Sequence, residues 1–395
     1  MSSGTRGVAR EAFVWIWLPQ AKDPVVAGKL TAQRGNLVFN YGRSYLERPG
    51  AIPIYDPELP LRAGVLPLPS GLSMPSSIRD AAPDAWGRRV LINRLLGARG
   101  PQTDTTQLDE LTYLLESGSD RVGALDFQRS AIDYEPREPT NATLKELLQS
   151  AELVERGVPL SAELGEALQH GTAIGGSRPK ALIEHGSTKY VAKFSSSTDL
   201  YSVVKAEFVA MRLARHTGLD VASVSLKRSS NKDVLVVERF DRVWREDGWR
   251  RRGIVSALTL LGLDEMMARY ASYENLTEII RHRFSDAAAT LRELFGRMVF
   301  NILCGNTDDH ARNHAAFWDG ASLRLTPAYD ICPQPRAGNE ASQAMLLTGE
   351  DRLSRVSSCF AAAHHFLLSH TEARAIAERQ VAAIHRHWNA VCEEA

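Results

Sequence analysis

Short apolar runs punctuated by glycine and proline open the chain. Over the first 70 residues Val, Ile, Tyr and Leu come in brief stretches broken by Gly28, Gly35, Gly42 and Gly50 and by the prolines at 49, 53, 57 and 60. That spacing predicts a small β-meander. From Ser77 the period changes to helical, with one helix expected over Ile78 to Leu96 and a short one over Leu108 to Leu115. Gly123-Ala124-Leu125-Asp126-Phe127 reads as a strand, and the proline- and charge-containing stretch Tyr134 to Thr140 as a boundary. Helices are expected next at Leu144 to Glu155 and Ser161 to Gln169. A glycine-rich loop follows, then strands at Ala181 to Glu184 and Lys189 to Phe194. An amphipathic helix spans about Val203 to Thr217, and the strand Val234 to Phe240 leads into a charged turn. Beyond Leu258 the long segments are helical: Leu276 to His282, Ala287 to Leu303 and Glu372 to Val391. The pattern is α+β, with a β-rich front (1–136), a mixed middle (137–242) and an α-helical back (243–395).

Composition narrows the class. A length of 395 residues exceeds one ordinary core, so more than one sub-structure is expected. Equal numbers of basic and acidic residues, 47 each, argue against non-specific attraction to nucleic acid or an anionic membrane. Cys304, Cys332, Cys359 and Cys392 are far apart and form no CxxC pair, which fits reduced thiols in a cytoplasm. Arg6 and Arg10 precede the apolar stretch Phe13 to Leu18, but Pro19 ends it well short of a secretory segment. No run approaches the roughly 18 apolar residues of a membrane span. A soluble cytoplasmic protein without a membrane partner is expected.

Several constellations carry chemistry. The loop Gly171-Thr172-Ala173-Ile174-Gly175-Gly176-Ser177-Arg178-Pro179-Lys180 lets backbone N–H groups approach an anion, with Arg178 and Lys180 adding positive charge. Taken alone, its glycines serve equally well as a tight turn, because the loop matches neither GxxxxGK[ST] nor GxGxxG. Lys193 lies inside the apolar strand Tyr190-Val191-Ala192-Lys193-Phe194, where an ammonium must snorkel or meet an anion. Glu207 on the next helix is a candidate partner, against the alternative of a solvated carboxylate. The string Asn306-Thr307-Asp308-Asp309-His310-Ala311-Arg312-Asn313-His314 holds a D-x-x-x-x-N spacing from Asp308 to Asn313, which Asp309 does not satisfy. Asp309 is read as a solvated neighbour. Asp330, at the end of the expected strand Leu325 to Asp330, completes the order of loop, lysine, catalytic aspartate, asparagine and late aspartate found in protein kinases. His310 and His314, four apart, suggest a metal pair, but no glutamate follows the first histidine and Gly305 and two asparagines disfavour a helix. They are read as scaffolding. The arginine–tryptophan stretch Arg242 to Arg252, interrupted by Glu246 and Asp247, is read as a solvated hairpin. Ala377, Val381, Ala382, Ile384 and Trp388 are expected to form a core stripe.

These residues resemble the HipA-like serine/threonine kinases, toxins of bacterial type II toxin–antitoxin systems. The resemblance runs through Ile78-Arg79-Asp80-Ala81-Ala82-Pro83-Asp84-Ala85-Trp86-Gly87-Arg88-Arg89, the glycine-rich loop, Val237-Glu238-Arg239-Phe240-Asp241-Arg242, the string from Gly305 to His314, and Pro327-Ala328-Tyr329-Asp330. It implies a protein-kinase-like two-lobed fold: a β-rich N-terminal subdomain, a nucleotide-binding lobe and an all-α C-terminal lobe. It also implies use of ATP and Mg²⁺. Ile174, Gly175, Gly176 and Lys193 would bind ATP, Glu238 and Phe240 would sit at the adenine, Asp308 would be catalytic, and Asn313 and Asp330 would hold Mg²⁺. The implied partners are a HipB-like helix-turn-helix antitoxin, operator DNA through that antitoxin, and a protein substrate of a class that includes aminoacyl-tRNA synthetases. One position departs from the family, whose autophosphorylated loop serine falls at Ala173. Either that switch is missing, or Thr172 or Ser177 replaces it, with Thr172 favoured by position, or the alanine is engineered. Two functions follow: an active toxin kinase, favoured by the intact Lys193, Asp308, Asn313 and Asp330, or a catalytically weak kinase-fold binding module acting through an antitoxin–DNA complex.

Overall fold

A computed structural model describes residues 9–97, 104, 106, 108–137, 142–196 and 199–395. Arg6 and residues 138–140 of the expected boundary lie outside the described residues. The chain begins β1 (Glu11–Ile16), β2 (Val25–Gln33), β3 (Asn36–Tyr41), α1 (Arg43–Leu46), β4 (Val65–Leu66), α2 (Ser76–Arg79), α3 (Ala85–Leu96), α4 (Glu110–Glu116) and β5 (Leu125–Gln128). It continues through α5 (Leu144–Glu155), α6 (Ala162–Gln169), β6 (Lys180–His185), β7 (Thr188–Phe194), α7 (Val203–His216), β8 (Val224–Ser229) and β9 (Lys232–Glu238). A hairpin of β10 (Arg242–Arg245) and β11 (Gly248–Arg251) follows, then β12 (Gly253–Ser256), α8 (Ala257–Leu260), α9 (Tyr273–Arg283) and α10 (Ala287–Cys304). β13 (Ala315–Trp318), β14 (Leu323–Leu325), α11 (Val356–Ala362) and α12 (His370–Glu394) complete it. Two compact units result, Met1–Ile183 with Asp241–Gly253, and Glu184–Phe240 with Ile254–Ala395.

In the first unit the expected meander is a five-stranded sheet of order β4-β3-β2-β1-β5. Alternation sets its faces: Ala12, Val14 and Ile16 of β1 are buried in a core with Leu30, Phe39 and Phe127. The helix expected over Ile78 to Leu96 is two helices, α2 and α3, divided at Pro83 and Asp84. Proline removes a backbone donor and disfavours helical geometry in the residue before it, so the break falls there. Periodicity gave no sign of a buried charge cluster: Arg121 and Asp126 pair at 2.8 Å with both side chains fully buried, and Arg137 reaches the same carboxylate at 2.8 Å. The hairpin expected to be solvated is anchored at its base. Arg242, with a side chain 1% exposed, pairs with Asp120 at 2.9 Å and Asp241 at 2.8 Å, and Arg251 lies 3.5 Å over the Trp17 ring.

In the second unit β7, β9 and β8 form antiparallel pairs in that order, with Lys193 opposite Leu235. α7 packs on them through Val204, Phe208 and Met211. α10 is the central helix, burying Leu291, Leu294, Phe295, Met298, Val299 and Phe300. The helical back also carries a small sheet, β12-β13-β14, whose strands of three or four residues are too short for a period-2 signal. The core stripe expected on the last helix is displaced. α12 buries Ala373, Ile376, Ala377, Gln380 and Val391, while Val381 and Trp388 are 39% and 50% exposed.

Candidate active site

Lys193 is delivered by strand alternation. Ala192 and Phe194 of β7 enter the core, so Lys193 points to the other face. There its Nζ donates to Glu207 Oε1 and to Asp330 Oδ1, each at 2.6 Å. Glu207 comes from α7 and is buried, so the candidate pairing is formed and the alternative of a solvated carboxylate is not. Burial alone would lower the lysine pKa; Asp330 and Glu207 outweigh it and hold the ammonium above the usual lysine range. One cation between two carboxylates leaves a local charge of −1 if both acids are ionised, and the Asp330 side chain, 38% exposed, opens this cluster to solvent.

Asp330 does not end a strand, as the sequence suggested. β14 stops at Leu325, and Asp330 takes a left-handed backbone with φ of 59°, a conformation for which aspartate is among the tolerant residues. Its approach is fixed two residues earlier, where Ala328 N donates to Asp220 O at 2.8 Å and Ala222 N donates to Ala328 O at 2.9 Å.

α10 ends in a left-handed Gly305, φ 75°, with Asn306 N returning to Asn301 O at 2.8 Å. This six-to-one closure satisfies an orphan carbonyl and turns the chain sharply. Asn306 is buried; its Nδ2 donates to Asn301 Oδ1 at 3.0 Å, and its carbonyl accepts from Gln343 Nε2 at 3.0 Å. Asp308 then projects on the exposed side of the loop. A 3-10 turn over Ala311–Asn313 brings the carboxamide of Asn313 back, and its Nδ2 donates to the Asp308 carbonyl at 3.2 Å. Tyr329, the neighbour of Asp330, donates its hydroxyl to Arg312 O at 2.7 Å. That bond ties the late aspartate's segment to the loop.

Asp309 is not the solvated neighbour expected. It is 1% exposed, takes a short hydrogen bond from the Tyr273 hydroxyl and accepts from His314 Nε2 at 2.8 Å. Burial, with the Asp309 carboxylate beside it, pushes the Tyr273 hydroxyl well above the usual tyrosine range. His314 Nε2 is taken up by this contact, in keeping with the scaffolding role read for it. Among the described residues no three His, Cys, Asp or Glu side chains gather into a metal cage. Sequence reasoning missed Tyr273, 36 residues before Asp309, because no spacing rule links them.

Phe240 packs edge-on to Phe317, with centroids 5.9 Å apart, and tilted on Tyr329 at 5.6 Å; Glu238 beside it is exposed. The glycine-rich loop belongs to the first unit. There the Lys180 ammonium bonds back to Gly175 O, so this charge holds the loop itself. Gly176 has φ of 110°, and Trp86 Nε1 donates to Lys180 O at 3.0 Å. Gly175 is exposed and Ile174 buried. Thr172 is fully buried and accepts from Gly118 N at 3.2 Å, whereas Ser177 is exposed.

A strand lysine clamped by a helix glutamate and a late aspartate, with a D-x-x-x-x-N loop at a helix end, places this α+β chain among proteins of protein-kinase-like two-lobed fold. Within that class the chain belongs to the HipA-like family: residues 172–388 match the HipA-like C-terminal domain and residues 19–128 the HipA N-terminal domain. It is 26% identical over 340 residues to the protein named "Putative kinase Y4mE" of Sinorhizobium fredii, covering 78% of this chain and 75% of that protein. It is 29% identical over 161 residues to the serine/threonine-protein kinase toxin HipA of Shewanella oneidensis, 37% of this chain and 36% of that protein. In fold it is similar to the Shewanella oneidensis HipA solved with HipB and its operator DNA. The TM-score is 0.66 at 18% identity, over 97% of this chain and 91% of that one.

Proposed function

We propose that the chain is a HipA-like toxin kinase that transfers the γ-phosphate of ATP to a serine or threonine hydroxyl of a protein substrate and so arrests growth. In this reading a HipB-like helix-turn-helix antitoxin restrains it and carries it to operator DNA, and aminoacyl-tRNA synthetases are the substrate class to test first. The kinase acts in the cytoplasm. Among the described residues no helix is long and apolar enough to cross a membrane. The observation that carries the proposal is Lys193, held at 2.6 Å from both Glu207 and Asp330.

The donor set fits Mg²⁺. Asn313 spends its Nδ2 on the Asp308 carbonyl and keeps a carboxamide oxygen, and Asp330 offers carboxylate oxygen on its exposed side. Hard oxygen ligands from one or two side chains are what Mg²⁺ takes when phosphates supply the rest. Bound there, the ion would neutralise charge on the transferring phosphoryl group. Asp308 accepts the proton of the substrate hydroxyl as that oxygen bonds to the γ-phosphorus, and the bond to the β–γ bridging oxygen breaks with release of ADP. Lys193 supplies positive charge to the phosphates, and Glu238 and Phe240 flank the adenine, in a nucleotide-binding lobe of residues 137–242. Ile174, Gly175 and Gly176 are assigned to ATP from the resemblance. For autophosphorylation, burial of Thr172 favours Ser177 as the acceptor.

Incubation with radiolabelled ATP, Mg²⁺ and cell lysate is expected to label a protein band that Asp308→Ala and chelation of Mg²⁺ both abolish. Asp308→Ala should keep the wild-type melting temperature within a few degrees, since its side chain is on the exposed side of the loop. Labelling by Asp308→Ala at the wild-type rate would sink the proposal. If the switch persists, phosphosite mapping should return Ser177.

A further inference from the structure

Two contacts of the same span cross the catalytic loop side by side. Asn313 Nδ2 donates to the Asp308 carbonyl at 3.2 Å, and one residue further on His314 Nε2 donates to Asp309 Oδ1 at 2.8 Å. The first joins two residues proposed for chemistry. The second joins their immediate neighbours, and both of its members are buried, at 1% and 3% exposure. Tyr273, at the start of α9 and fully buried, closes the cluster by donating its hydroxyl to Asp309 Oδ2, with its ring 5.4 Å from that of His314.

We infer that Asp309, anchored by Tyr273 and His314, is the positioning residue that sets the reach of Asp308 and Asn313. The inference rests on the kinase reading of this loop. Asp308 precedes Asp309 and Asn313 precedes His314, so a cluster that fixes 309 and 314 fixes both ends of the working segment. Backbone bonds extend the hold: Tyr273 N donates to Leu346 O at 2.9 Å, Ala344 N to Thr307 O at 3.0 Å, and Ala257 N to His314 O at 2.8 Å. The buried aspartate ties the loop to α9 through Tyr273, and these backbone bonds tie the loop and Tyr273 to the segment around 344–346 and to the start of α8. A catalytic group misplaced by about 1 Å costs on the order of 100-fold in rate, so loosening this cluster should be felt in turnover before it is felt in nucleotide binding.

The test uses the full chain, with Asp309→Asn and Tyr273→Phe singly and combined, and Asp308→Ala as control. Asp309→Asn keeps the shape but weakens the charge-assisted bonds. It is expected to lower kcat at least about 10-fold while the KM for ATP stays within about twofold, as expected when the lost stabilisation is confined to the transition state. Tyr273→Phe should lower kcat in the same way, and the double variant should lose much less than the product of the single effects, the signature of one shared network. If Asp308→Ala is inert and Asp309→Asn turns over like wild type, the inference fails and the kinase reading stands. If Asp308→Ala transfers phosphate normally, the kinase reading fails first. Variants that unfold, or that lose activity only in step with melting temperature, would make the cluster a general fold support and overturn the inference.

Discussion

Lys193 carries a single positive charge against two carboxylates at 2.6 Å, and one of them, Glu207, has a side chain only 3% exposed. Replacing it with methionine leaves Glu207 buried without its cation, and removing one partner of a buried pair costs about 3–5 kcal/mol. Lys193→Met is therefore expected to shift the denaturant midpoint down as well as weaken ATP binding, and Glu207→Gln, which removes that buried charge, should recover part of the stability in the Lys193→Met background. Equal stability of wild type and Lys193→Met would show that the pair is not held as the structure has it. The lysine, the late aspartate and the D-x-x-x-x-N spacing were legible in the sequence because each is a residue type out of place or at a fixed interval. What separates Asp308 from Asp309 was only half legible. Spacing marks Asp308 for chemistry, but the direction of each side chain is set by the loop backbone after Gly305 and by Tyr273, and neither leaves a periodic trace.

At the scale of elements, α3 contains a glycine that helix propensity alone would reject. Gly87 is the third residue of α3, and within a helix alanine is favoured over glycine by up to about 1 kcal/mol. A Cβ there would lie 1.9 Å from the carbonyl oxygen of Thr172, inside the backbone of the 3-10 turn that leads into the glycine-rich loop. Gly87→Ala should thus destabilise despite its better propensity, with loss of protection in the amides around residues 171–176 read by hydrogen exchange. A stabilised variant would mean the turn yields freely. Long periodic elements were readable: Leu144–Glu155 has the predicted bounds, reinforced by the Thr143–Glu146 capping box. α12 was found, but its buried face was misassigned because several of its small or apolar residues face solvent, and periodicity counts them all alike. The three short strands β12 to β14 left no signal, since tertiary pairing rather than local pattern makes them strands.

For the whole molecule, the division into units does not follow chain order, because residues 241–253 belong with the first 183. No composition shift announces that return. It is carried by Arg242, whose buried guanidinium pairs with Asp120 and Asp241 and donates to Gly123 O at 2.9 Å, while Gly123 N donates to Asp241 Oδ2 at 2.9 Å. Arg242→Ala should cost about 3–5 kcal/mol, measured as a lower denaturant midpoint for the fluorescence of tryptophans in that unit. Arg242 also donates to the carbonyl of Arg121, whose side chain pairs with buried Asp126. Burial pulls the Asp126 carboxyl upward, and Arg121 and Arg137 overcome it, leaving its pKa below the usual 3.8. Its folded value is the lower one, so its contribution is complete above 3.8 and is lost as pH falls through the folded value. Asp126→Asn should therefore be much less stable than wild type near neutrality, with the gap closing in acid. A gap that is constant from neutral pH down to the acid transition would mean that the pairing of Asp126, and with it this account of how the returning segment is held, is wrong.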